Sequence, residues 1–152
     1  MKRLIILLVL AAAALASSRS IAAQDRGPWR AASSTARAIT GDIAISDTKL
    51  FINFAPFSIA SIRTLTQTET SATFSAAVGG EIATLYRLDI PARRQFQHKN
   101  TLCGSDDTQW MVTAIIGKTL QVAFFSGTQM PIFTFDGLKD STEVCGTFTY
   151  VR

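Results

Sequence analysis

Cys103 and Cys145 are the only two cysteines in the chain, and each precedes a glycine, Gly104 and Gly146. They lack the Cys-x-x-Cys spacing of a redox couple. A zinc site would need both sulfurs, His98 and a fourth ligand that no motif supplies. The simplest chemistry open to the two thiols is with each other. One disulfide would tie a central loop to the last strand, worth roughly 4 kcal/mol in the chain-entropy treatment of a loop this long. A glycine beside each half-cystine lets the backbone turn or approach closely there.

His98 is the single histidine, so any Ser-His-Asp or Cys-His device has to use it. It sits in the basic run Arg93-Arg94-Gln95-Phe96-Gln97-His98-Lys99, and no Gly-x-Ser-x-Gly nucleophile elbow precedes it. Gly79-Gly80 has no following Lys-Ser/Thr, which leaves out a phosphate loop. Asp106-Asp107 are adjacent and would diverge on a strand or sit in a turn, unlike the facing carboxylates of a glycosidase. Asp136, Asp140 and Glu143 read as a solvated acidic loop. The expectation is therefore no catalytic constellation, no cofactor and no metal, with a hydrolase built on Asp106, Asp107 or His98 as the distant alternative. Arg93, Arg94, His98 and Lys99, with Phe96 among them, form the candidate contact surface for an anionic partner. The plainer reading of that run buries Phe96 and solvates the charges.

The N-terminus explains why the thiols should be oxidised. Met1-Lys2-Arg3 is basic, residues 4–15 are apolar, and small residues lead to Ala22-Ala23. That order describes a secretory signal peptide. An apolar run of about 12 residues is too short for a bilayer core of about 30 Å. The small-residue rule allows cleavage after Ala16 or after Ala23, and the second is preferred because residues 17–23 still resemble leader. No cysteine lies near either cut, so a lipid anchor is not expected. Lys2, Arg3 and Arg19 leave with the leader, so the 15 basic side chains fall to 12 against 11 acidic ones. The formal charge then drops from +4 to +1, which removes most of the case for nucleic acid or an anionic membrane as partner.

The organisation expected is a signal peptide over residues 1–23, a flexible lead-in over 24–36 in which Trp29 docks, and one disulfide-tied β-domain over 37–152. Most of that domain alternates. Ile39, Ile43 and Ile45 share a face. Leu50, Ile52 and Phe54 alternate with Phe51 and Asn53, and residues 57–65 form a mixed run. Ile82, Tyr86, Leu88 and Ile90 share a face and oppose Ala83, Arg87 and Asp89. Trp110 and Val112 alternate with Met111 and Thr113, Leu120, Val122 and Phe124 with Gln121 and Ala123, and Phe148 and Tyr150 with Thr147 and Thr149. Gly117-Lys118 suits a type II′ hairpin, Ser46-Asp47-Thr48 a turn, and Pro91 a strand end. Thr66 with Glu69 has the spacing of a capping box, predicting a helix over 66–74, and a turn or two of helix is expected over 92–96. Phe124 and Phe125 cannot both face one core, so the second needs a helix or loop over it or else forms an exposed patch. About seven antiparallel strands with one or two short helices predict a small β-barrel, with a β-sandwich as the alternative.

Three segments, Ile39-Thr40-Gly41-Asp42-Ile43, His98-Lys99-Asn100-Thr101-Leu102-Cys103-Gly104 and Cys145-Gly146-Thr147-Phe148-Thr149-Tyr150, resemble a group of small exported bacterial proteins of no established activity. The resemblance covers most of the chain after the leader. It implies a Gram-negative envelope location, the periplasm ahead of the extracellular space, and brings over no functional residue. The expected architecture is also similar to that of periplasmic lysozyme inhibitors, as fold alone. The function expected is non-enzymatic binding of a protein or envelope component through loops, with a barrel holding a small apolar ligand as the second reading.

Overall fold

The computed structural model describes residues 24–75 and 82–152. The predicted leader and Gly79-Gly80 lie outside them. Eight antiparallel strands follow one another around a closed barrel: β1 (Gly27–Ala31), β2 (Ile43–Ile45), β3 (Lys49–Ile52), β4 (Ala55–Leu65), β5 (Ala83–Ile90), β6 (Thr108–Ile116), β7 (Thr119–Phe125) and β8 (Val144–Val151). Each pairs with the next, and β1 closes the ring on β8. The expected strand count of about seven is one short. The strand missed is β1, inside the stretch expected to be a flexible lead-in. Gly27-Pro28 argues for looseness locally, but Pro28 is at a position where β1 pairs only with β2, and Trp29 carries the strand into the core. Tertiary burial overrides the local signal there.

Period-two alternation sets the two faces. Leu50, Ile52, Tyr86, Leu88, Met111, Val122, Phe124, Phe148 and Tyr150 point inward into one packed cluster with Trp29. The aromatic edges of Phe124 and Phe148 meet at 5.3 Å between centroids. A second cluster lies outside the wall on β4–β8: Leu65, Leu85, Trp110, Val112, Ala123 and Phe125. It is buried because α2 (Gln67–Phe74) brings Phe74, and the 126–143 connection brings Phe133 and Leu138 from the region of α3 (Phe135–Lys139). Phe125 and Phe133 meet edge to face at 5.8 Å. Phe124 is thus inside and Phe125 outside under cover.

The local signals hold in several places. Thr66 caps α2, and the reciprocal Glu69 side chain accepts from the Thr66 N–H at 2.8 Å, completing the capping box. Ile116 pairs with Thr119 across Gly117-Lys118, with Gly117 at φ +64°. Ser46 N–H donates to the Lys49 carbonyl in the turn after β2. Ile39, expected to share a strand with Ile43, instead ends the helix α1 (Ser34–Ile39), capped by Ser33. Residues 92–96 are not helical; the turn of 3-10 helix falls at Gln97–Lys99. Loops close both barrel ends. At one end α1 sits with the 91–107 connection, and Thr40 shares a 2.7 Å hydrogen bond with the buried Tyr150 hydroxyl. At the other, residues 24–26 enter beside the β2–β3 turn. Among the described residues no helix is long and apolar enough to cross a membrane.

Candidate functional site

The outer wall is covered on one side and bare on the other. Over β1–β3 no helix or loop among the described residues repeats the work of α2 and Phe133. The bare side forms an open groove of about 1070 Å³, floored by Pro28, Ala44 and Phe51, with Val151 at the β8 edge. Arg30 and Arg152 stand on the rim, with Asp42 and Gln97 at the end where α1 lies. Asp42 is already engaged, since its Oδ1 accepts from the Ala31 N–H at 2.9 Å. Arg152 lies over the Trp29 ring at 4.3 Å. The Arg30 side chain is exposed and makes no hydrogen bond or ion pair among the described residues.

Phe54 completes the groove and is the most anomalous residue in the fold. Ile52 pairs with Ala55, so Asn53-Phe54 is a two-residue hairpin loop. Both residues have left-handed backbone, φ +48° and +67°, the requirement of a type I′ turn. Asn tolerates this conformation, and the second place is normally glycine. Phe54 carries its strain while 95 % exposed. Alternation predicts Phe54 on the face of Leu50 and Ile52, but the chain turns one residue too early for that. Asn53 before Ala55-Pro56 is the turn signal that would have located it.

The expected contact residues are dispersed along the 91–107 connection. Arg94 lies over Phe57 and Phe96 at 5.8 and 5.9 Å, and those two rings meet edge to face. His98 Nδ1 is 3.4 Å from the Ala38 carbonyl, which also accepts from Asn100 Nδ2 at 2.9 Å. Arg93 and Lys99 are exposed, and Lys99 follows His98 in left-handed backbone. Phe96 is half-buried against the interior cluster, as the plainer reading has it. From this run only Gln97 reaches the groove.

Cys103 and Cys145 are joined, with Cα atoms 4.8 Å apart across 42 residues of sequence. The bridge fastens the 91–107 connection to the start of β8 and packs against the interior cluster. Asp106, Asp107 and Glu143 line a shallow depression of about 410 Å³ with Ser126 and Thr142. Asp107 Oδ1 accepts from the Ala92 N–H at 2.7 Å, so it works as a loop clasp. His98 is on the α1 side and lines no part of that depression.

Three groups have strongly shifted protonation. The Arg63 guanidinium, bonded to both Glu69 oxygens at 2.9 and 2.8 Å, holds that carboxyl down at about 2. Burial pushes the Tyr86 and Tyr150 phenols well above their ordinary range, helped at Tyr86 by the nearby Asp25 charge. Comparison of the chain with protein-family models, with curated proteins and with solved structures finds no match.

Proposed function

We propose that this protein is an exported, non-enzymatic binding domain whose contact surface is the β1–β3 groove with Phe54 at its edge. Its occupant is a segment of a partner protein that carries apolar side chains next to a carboxylate. The observation that carries the reading is Phe54. A large apolar side chain held in left-handed backbone and presented to water costs the isolated fold on both counts, and such strain clusters at functional sites. A protruding aromatic is an anchor for a pocket in a protein partner. A lipid chain would favour an enclosed channel, and this groove is open. The charge favours an acidic segment, because Arg30 is unpaired while Asp42 is engaged.

Other observations weigh against the competing readings. Large side chains fill the barrel interior, which speaks against a small apolar ligand held there. The candidate carboxylates and His98 sit apart, which speaks against a hydrolase. The leader and the bridge support a periplasmic address.

The test is selection of binders from a displayed library of random peptides on the processed chain, alongside the F54G and R30E variants. Enrichment of peptides combining Leu, Ile or aromatic residues with Asp or Glu, lost on both variants, is the expected result. No enrichment, or enrichment that survives both substitutions, overturns the proposal. So does binding of anionic phospholipid vesicles without peptide enrichment.

A further inference from the structure

Asp25 is a carboxylate only 6 % exposed, at the barrel end opposite α1. Its Oδ2 accepts from the Tyr86 hydroxyl at 2.8 Å and the Thr113 hydroxyl at 2.7 Å. Its carbonyl accepts from Trp29 Nε1 at 2.8 Å, which fixes the residue in place. Yet Oδ1 is fully buried with no hydrogen-bond partner among the described residues. A buried carboxylate oxygen without a donor is among the costliest features a fold can keep. The nearest cation in sequence, Arg26, pairs with Asp47 through Nη1, and its Nε is buried without a hydrogen-bond partner among the described residues. Residue 24, immediately upstream, is exposed, and its carbonyl is held by Arg152 at 3.0 Å. Among the described residues the chain therefore holds a buried carboxylate oxygen with no donor on it, a socket one residue from the Gln24 nitrogen.

We infer that processing falls between Ala23 and Gln24, and that the α-ammonium it creates is the missing donor to Asp25 Oδ1. In that step a leader peptidase adds water across the Ala23–Gln24 peptide bond. Ala23 leaves with the leader as a carboxylate, and the Gln24 nitrogen takes up a proton to become an ammonium. The inference rests on the leader reading and is independent of the groove. It decides between the two cuts that small residues allow, because a cut after Ala16 leaves residues 17–23 between the ammonium and the socket.

A chemical consequence follows at Gln24 itself. A free N-terminal glutamine cyclises when its neutral amine attacks its own side-chain amide carbon, forming a C–N bond and expelling ammonia. An ammonium paired to Asp25 is not a nucleophile, so the folded chain should resist this reaction.

Three chains test the inference: one beginning at Gln24, one beginning at Ser17, and D25N beginning at Gln24. The charged and titratable groups around the socket are Arg26, Asp47, Tyr86 and Arg152, and all three chains share them. An α-amino group titrates near 7.7–8.0 when free, and pairing raises that value in the folded state. Its contribution is thus complete below about pH 7.7 and is lost as pH rises through the folded value. The Gln24 chain should show a urea midpoint higher than the Ser17 chain by roughly 0.5 M near neutral pH, with the gap closing at alkaline pH. D25N should lose the gap and cyclise faster, read as loss of ammonia in the intact mass. If D25N does not fold, the comparison of the two N-termini still decides. Equal midpoints at both pH values, cyclisation of the folded Gln24 chain as fast as of its urea-unfolded form, or exported protein that begins at Ser17, overturns the inference.

Discussion

Phe54 and Glu69 show at the residue scale how one side chain can work against or for the fold. Replacing Phe54 by glycine relieves left-handed strain and removes an exposed ring. F54G should therefore stabilise the isolated protein by about 1 kcal/mol, read as a higher urea midpoint, while abolishing peptide capture. A substitution that improves stability and removes binding separates a functional residue from a structural one. Glu69 works for the fold. Its carboxyl, held by Arg63 at about 2 in place of an ordinary value near 4.3, contributes stability present above the ordinary value and lost as pH falls toward 2. Acid titration of the urea midpoint should be shallower in E69Q across that window, and an unchanged slope would rule out the pair as the source. Neither effect was legible in the chain. Capping-box spacing located Glu69, but its partner Arg63 lies on β4 before the turn, and that pairing depends on the bulge between Ser61 and Arg63.

Among the elements, the 126–143 connection does the work of a missing helix. It carries Phe133 and Leu138 onto the outer face of β6 and β7, where α2 adds Phe74. Removing the ring in F133A should cost about 3–4 kcal/mol and expose Phe125 and Trp110. Urea unfolding measures the first effect and increased binding of an apolar dye the second. The Phe124-Phe125 pair announced the need for such cover, because alternation can bury only one of them on each face. What supplies the cover was not legible, since Phe133 follows Pro131 in a stretch without periodicity. The same division runs through the rest of the fold. Strands with strict alternation, such as β7 and β5, were legible in their faces. α1 was not, because Ile39 falls on the same two-residue period as Ile43 and Ile45, and only the Ser33 cap distinguishes helix from strand there. The groove was invisible for a related reason. It consists of what α2 and the 126–143 connection leave uncovered, and that depends on the whole wall.

For the whole molecule, closure is the governing fact. A barrel has no free edge to recruit neighbours, but its seal is uneven. β1 pairs with β2 at Gly27, Pro28 and Trp29 and with β8 at Arg30 and Ala31 only. The cystine, the Thr40–Tyr150 hydrogen bond and the contacts of residues 24–26 reinforce the ends on either side of that short seam. Replacing both cysteines by serine, C103S/C145S, should lower stability by about 4 kcal/mol, measured by urea unfolding under non-reducing conditions. A loss below about 1 kcal/mol would mean that the bridge constrains little that the strands do not already fix.

The β1–β8 seam joins the first strand of the chain to the last. A polypeptide that emerges N-terminus first, from a ribosome or through a membrane pore, releases Gly27–Ala31 long before Val144–Val151 exists to receive it. The cystine imposes the same order, since Cys103 waits for Cys145. Intermediate lengths of the chain therefore expose an unsealed sheet with β1 at one margin and the newest strand at the other. Folding cannot finish early, and the chain stays in a threadable state until its final residues are clear. On the proposed export, this late closure keeps the chain transportable.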